Sequence, residues 1–456
     1  MSVSNAILPG FAAAVVGSGP AGFYTAAALL ALPDPQIRVD MYERLPTPWG
    51  LVRAGVAPDH PKIKSISGQF ARTATHERFR FFGNVEVGTH VTREDLLARY
   101  DVIVYCVGAP ADRVLGIPGE DLPGVAAARD FVGWYNGHPD FRDRTFDLAV
   151  RHAVVIGNGN VALDVARILS TPPDRLATTD VADHALSVLR GSLVDDVLII
   201  GRRGPAQSSF TTPELRELAE MTGAAVVVDP AQVEPVGDEE NLAHVPRHNL
   251  QVLRGYARAG GTPDGGRRIT LRFLTSPVEI RGDGRVESIV LGGNRLTDGA
   301  NGATRSVDTG EREVAAAGLV LRAVGYRGVP IPGVPFDAGA GVIPNRDGRV
   351  IAGDREYVAG WIKRGPSGVI GTNRKCAAET VRTIAADLAA DPGPSRAADS
   401  DLVESWLRGR QPDLVDLDGW AAIDAVERDA GERQGRPRVK LCTWDELLAA
   451  ARAVPV

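Results

Sequence analysis

The chain has 456 residues, 44% of them apolar and 24% charged, so it can bury a large core and is neither disordered, collagen-like nor a membrane bundle. Its 51 basic and 57 acidic residues leave a net charge of −6, which argues against a general nucleic-acid binder. Length alone suggests about three domains, and the 51 glycines, without a triplet period, mark many tight backbone approaches. Cys106, Cys376 and Cys442 form no CxxC pair, so neither a disulfide framework nor a dithiol centre is expected, and a reducing compartment fits. The N-terminus lacks the basic stretch of a signal peptide, and no run of about 18 apolar residues occurs. We expect no membrane insertion and a cytoplasmic location.

The first predicted strand is the apolar run Phe11–Val16. It leads into Gly17-Ser18-Gly19-Pro20-Ala21-Gly22 and an Ala- and Leu-rich helix. Strand, GxGxxG and helix together suit a dinucleotide pyrophosphate: Gly17 for the turn, Gly19 for close approach and Gly22 for helix–strand packing. The phosphates would rest on the helix N-terminus. A second strand, Ile37–Tyr42, ends at Glu43, 21 residues past Gly22, where an acid binds ribose hydroxyls.

The pattern then repeats. The strand His152–Ile156 runs into Gly157-Asn158-Gly159-Asn160-Val161-Ala162 and a further helix. The strand Val197–Ile200 ends in Gly201-Arg202-Arg203-Gly204. Arginine in place of the acid suits the 2′-phosphate of NADP(H). Arg202 lies 40 residues past Ala162, so residues 171–193 are an insertion of loop and helix. A solvated basic turn is the other reading of the arginine pair.

The segments 100–109 and 318–328 are apolar strands ending in glycine, flanking the second glycine turn as expected where a chain leaves one domain and returns to it. Residues 357–373, YVAGWIKRGPSGVIGTN, read as a strand, a glycine-rich turn and a helix starting near Gly371. Asp391 to Ser395 reads as a linker, and 401–456 as short helices with no chemistry assigned.

The segments VVGSGPAGFYTA, PWGLVRAGVAPDHPKIK, FRFFGNVEVG, DFVGWYNGHPD, VIGNGNVALDVARIL, IIGRRGP, GWIKRGPSGVIGTN and RPRVKL carry a resemblance over nearly the whole chain. It resembles the adrenodoxin-reductase-type NADPH–ferredoxin reductases, particularly their bacterial members. The resemblance implies an α/β fold of two Rossmann-like dinucleotide-binding domains, an FAD domain (1–108 and 325–456) with an inserted NADPH domain (109–324). It implies FAD contacts at Ala21, Glu43, Leu51, Val87, Trp361 and Gly368, Val369 and Ile370, beside Gly17, Gly19 and Gly22. It implies NADPH contacts at Asn158, Gly159, Asn160, Val161, Arg202, Arg203, Glu214 and Gly368. The 171–193 insertion belongs to the family pattern. Gly368 is expected where the two cofactor rings meet, in space that a side chain would fill.

The implied reaction is hydride transfer from NADPH to FAD, followed by single-electron release to a ferredoxin. His60 and Glu214 are the candidate catalytic residues, with Glu214 orienting the nicotinamide. Thr211-x-x-Glu214 also reads as a capping box, and His60 between Asp59 and Pro61 as a turn residue. Residues 247–272 hold six arginines against Asp264, a local +5. With Arg216, Arg247 and Arg254 this stretch is a candidate docking surface for an acidic ferredoxin; a solvated loop around 260–266 is the alternative. A disulfide reductase is disfavoured by the missing CxxC, a flavin monooxygenase by the family resemblance, and a redox scaffold by the intact second glycine turn.

Overall fold

The computed structural model describes residues 10–220, 224–234, 239–261, 266–298, 304–393, 396 and 402–453. The extreme N-terminus, most of the 260–266 turn and part of the 391–395 linker lie outside these residues.

Two parallel sheets organise the chain. In the first, the order is Phe79–Phe82, Ile37–Tyr42, Phe11–Val16, Val102–Tyr105 and Glu356–Val358, all parallel. The short strands Arg349–Val350 and Asn345–Arg346 extend it antiparallel. The central strand Phe11–Val16 is buried along its length. Ala13 and Val15 face one core, under the helices Pro20–Leu30 and Thr372–Ala390; Ala12, Ala14 and Val16 face another. Burial on both faces explains why this strand reads as a continuous apolar run rather than an alternating one. The sheet takes strands from both ends of the chain.

The second sheet comes from the middle. Its order is Ala224–Val228, Arg267–Arg272, Asp196–Ile200, His152–Ile156, Leu319–Arg322 and Val125–Ala127, all parallel. The helices Pro173–Leu176 and Asp183–Arg190 form the 171–193 insertion. A three-stranded antiparallel sheet, Thr275–Arg281, Ser288–Asp298 and Thr304–Ala316, was not foreseen. Its Ile280, Ile289 and Leu291 pack on Val154, Ile156 and Val320 of the parallel sheet.

The described residues of 247–272 finish the helix His244–Ala259 and form the strand Arg267–Arg272. The C-terminal segment does more than pack on the first sheet. Trp420, Ile423 and Leu447 join that core, but Cys442 joins the core of the inserted half, and Arg436 bonds Asp183 and Thr179 O. Cross-chain ionic contacts tie the halves further. The Lys64 ammonium lies 2.6 Å and that of Lys440 3.1 Å from the Asp180 carboxylate, all three buried or nearly so. Burial pushes Lys440 down to about 7; for Asp180, burial would raise the carboxyl, but the two ammoniums outweigh it and hold it low. The two crossover segments pair with each other, Ala111–Asp112 against Tyr326–Arg327. Among the described residues no helix is long and apolar enough to cross a membrane.

Candidate active site

The first glycine turn closes as its sequence requires. Gly17 has φ +102, and a Cβ there would lie 2.7 Å from Cys106 O. A Cβ at Gly22 would lie 2.0 Å from Gly17 O, so strand and helix touch backbone to backbone. Nothing lies within 4 Å of a Cβ built at Gly19. That open space in front of the helix Pro20–Leu30 is where a pyrophosphate fits. Glu43 sits beside it, accepting from Ser18 N at 2.9 Å, Ser18 Oγ at 2.6 Å and Leu45 N at 3.0 Å. Ser18 fills both acceptor sites of Oε2, and Oε1 keeps one for a ribose hydroxyl.

Other expected FAD contacts converge on this turn. A Cβ at Gly50, next to Leu51, would lie 2.8 Å from Gly19 Cα, and one at Gly360, next to Trp361, 2.5 Å from Ala21 Cβ. Leu51 is exposed although apolar, at 42%. Val87 packs at the edge of the core that holds Val16 and Tyr42. The Trp361 indole stacks on Tyr326 at 5.5 Å and donates to Ser367 O. Val369 is exposed and Ile370 half-buried. At Gly368 the chain itself calls for glycine. Its φ is +78 and a Cβ would lie 2.5 Å from Thr372 Oγ1, so local backbone geometry and the following helix already exclude a side chain.

The second turn mirrors the first. A Cβ at Gly157 would lie 2.3 Å from Ala323 O, whereas nothing lies within 4 Å at Gly159, and Ala162 is fully buried. The Asn158 amide packs against Gly201, with its Oδ1 buried and unpartnered. Asn160 Oδ1 accepts from Thr211 N at 2.8 Å, and Asn158 O from Ser209 N, tying this turn to the helix Thr212–Glu220. Val161 is half-buried in that helix-opening turn. Arg202 and Arg203 are exposed, and among the described residues neither guanidinium has a carboxylate partner. Their carbonyls are held instead, Arg202 O by Ser306 Oγ at 2.7 Å and Arg203 O by Leu274 N at 3.0 Å. The backbone is fixed and the charges are available, as a 2′-phosphate requires.

His60 and Glu214 come together across the two halves, 3.7 Å apart. Both are buried, at 7% and 9% exposure. The Glu214 carboxylate is turned toward His60 and Arg167, 3.7 Å from each. Arg167, which sequence reasoning missed, sits between them. Its guanidinium binds Asp59 at 2.6 and 2.9 Å and Asp164 at 2.8 Å, and lies 3.7 Å from Glu214. Burial above all, and next the Asp164 charge, push the Glu214 carboxyl up to about 7. Glu214 Oε2 and Arg167 NH1 are buried without a hydrogen-bond partner, while His60 Nε2 has only the half-exposed Glu217 carboxylate, at 2.8 Å. Such a group of unpaired atoms is costly and typical of a site built to receive something. The signal for Arg167 was an Asp164-x-x-Arg167 pair within the otherwise apolar run of its helix.

The proposed docking arginines are not all available. Arg254 is held by Glu239, at 2.9 Å from one oxygen, and by Val233 O. Arg268 pairs with Asp196 and Arg272 with Glu313, so acids outside 247–272 offset much of its +5. Arg216 is exposed on the helix that carries Glu214.

Two parallel sheets, two glycine turns and a buried acid–imidazole pair between them define an oxidoreductase that uses two dinucleotides. The pyridine nucleotide-disulphide oxidoreductase family model matches residues 11–221. "NADPH-ferredoxin reductase FprA" of Mycobacterium leprae is 57% identical over 443 residues, 95% of this chain and 97% of that protein. "NADPH:adrenodoxin oxidoreductase, mitochondrial" of Arabidopsis thaliana is 43% identical over 458 residues, covering 96% and 94%. A solved structure, "Mycobacterium tuberculosis FprA in complex with NADPH", superposes with a TM-score of 0.94 at 55% identity, over 97% of this chain and 100% of that one. The chain belongs to the NADPH–ferredoxin reductase family.

Proposed function

We propose that this chain is an FAD-containing reductase that takes electrons from NADPH and passes them to a ferredoxin-type iron–sulfur protein. The observation that carries it is the pairing of an acid-ended glycine turn, at Glu43, with an arginine-ended one, at Arg202 and Arg203, on facing halves of one chain. We assign FAD to the sheet built from 1–108 and 325–456, and NADPH to the sheet of 109–324. FAD supplies the conversion of a two-electron hydride into single electrons.

The protein's part is binding, orientation and charge. Glu43 and Ser18 hold the adenosine ribose of FAD, with Gly17, Gly19, Ala21 and Gly22 beneath the pyrophosphate. Leu51, Val87, Trp361, Gly368, Val369 and Ile370 line the remainder. Asn158, Gly159, Asn160 and Val161 cradle the NADPH phosphates, and Arg202 and Arg203 select the 2′-phosphate. Glu214, with its carboxyl raised to about 7, is partly protonated near neutral pH and in that form can donate a hydrogen bond to the nicotinamide carboxamide. His60 orients that carboxyl from the opposite half. Arg216, Arg247 and Arg254 are the candidates for docking an acidic ferredoxin, of which Arg254 is held by Glu239 and Arg247 donates to Leu242 O. Three buried free cysteines fit a reducing location, and we place the enzyme in the cytoplasm.

The purified protein is expected to be yellow and to bleach anaerobically with NADPH but not with NADH. No bleaching with either nucleotide refutes the proposal.

A further inference from the structure

His60 Nε2, Glu214 Oε2 and Glu217 Oε2 lie within 4.8 Å of one another. The His60–Glu217 distance is 2.8 Å and His60–Glu214 is 3.7 Å. A tetrahedral ion with bonds of about 2.1 Å needs donors about 3.4 Å apart, between these values. Glu217 is 41% exposed at its side chain and can adjust without backbone movement. The Glu214 oxygen is buried and has no hydrogen-bond partner, and the buried His60 Nε2 has only Glu217 within reach.

Charge favours a cation. Four carboxylates, Asp59, Asp164, Glu214 and Glu217, surround one guanidinium and one imidazole. Arg167 opposes an ion, but Asp59 and Asp164 hold it at 2.6 and 2.8 Å, whereas Glu214 and Glu217 stand off at 3.7 and 3.9 Å. Glu214 therefore lacks a close positive partner, and Glu217 has only the His60 imidazole, at 2.8 Å. A cavity of about 370 Å³, whose charged lining is Asp59, Glu217 and Glu220 against Lys62, Arg167 and Arg175, reaches the cluster at His60 and Glu217 and admits a hydrated ion. One imidazole, two carboxylates and an open position for water suit Zn²⁺ and suit Mg²⁺ or Ca²⁺ poorly, because those ions prefer all-oxygen sites.

We propose that His60, Glu214 and Glu217 form an inhibitory Zn²⁺ site. The ion staples the helix Thr212–Glu220 of the inserted half to the 57–61 segment of the other half. It also removes Glu214 from the nicotinamide. The inhibition rests on the reductase reading; the binding does not.

The test uses the holoprotein in chelator-washed buffer. Wild type should show the visible d–d band of tetrahedral Co²⁺, a raised melting temperature with Zn²⁺, and loss of NADPH-dependent ferricyanide reduction that EDTA restores. Glu217→Gln should keep its metal-free turnover yet lose the Co²⁺ band and the Zn²⁺ inhibition together. His60→Ala, read only by Co²⁺ absorbance and melting, should also lose the band. An unchanged band in either variant, or Zn²⁺ inhibition that survives Glu217→Gln, overturns the proposal. A protein that binds Co²⁺ through these residues but is inert to NADPH refutes the reductase reading and leaves the metal site standing.

Discussion

Replacing Glu214 by Gln should stabilise the protein, and only above a defined pH. The carboxyl is moved from its ordinary 4.5 to about 7, chiefly by burial and then by Asp164. A raised acid binds its proton more tightly in the folded state than in the unfolded one. Its favourable contribution is complete below 4.5 and is lost as pH rises through about 7. A shift of that size corresponds to about 3 kcal/mol between the two plateaus. Gln keeps the shape and carries no charge to bury. The stability difference, variant minus wild type, should therefore climb by about 3 kcal/mol between the acidic and alkaline plateaus. Unfolding of two linked halves is not a single two-state step, so the melting temperature is the safer readout. The increment should be about 3 °C if the whole chain melts as one unit, and about 7 °C if the inserted half melts alone. The assay is calorimetry of both proteins from pH 4 to 9 in EDTA. A difference that does not vary with pH refutes the argument, because it would show that Glu214 is not charged at the cost of burial. Flavin reduction by NADPH should meanwhile slow in Glu214→Ala far more than melting changes.

Arg202→Ala and Arg203→Ala should each raise KM for NADPH by roughly 10- to 100-fold, the loss of one charged hydrogen-bonding partner, and leave KM for NADH unchanged in steady-state kinetics. Asp180→Asn strands two buried ammoniums and should cost about 3–5 kcal/mol, seen as a lowered melting temperature that Lys440→Met partly restores. Gly19→Ala should fold normally, because nothing lies within 4 Å of the new methyl, yet purify with less flavin. Gly22→Ala drives a methyl to 2.0 Å from Gly17 O and should lower both flavin content and melting temperature.

Much of this site is legible because phosphate binding is local chemistry. Gly17 to Gly22 and Gly157 to Ala162 each span one turn, and a strand, a turn and a helix N-terminus are contiguous in the chain. Glu43 and Arg202 follow for the same reason, since each ends the strand adjoining the one that opens its turn. Gly368 shows the limit. It was expected to be glycine for the sake of a cofactor ring, and its left-handed backbone against Thr372 supplies a nearer cause. The docking arginines show another: charge counting along 247–272 could not see Glu239, Asp196 and Glu313, which reach those side chains from other segments.

The sequence by itself determined the two dinucleotide turns, because each rests on residues within a few turns of one another, and it marked the acid and the arginine at the ends of the adjoining strands. Tertiary structure alone decided the buried centre. His60, Arg167 and Glu214 are separated by 107 and 47 residues in the chain, and only the closing of two sheets against each other buries them together. That burial, rather than any property of the segment Thr211 to Glu214, raises the Glu214 carboxyl and leaves its oxygen without a partner.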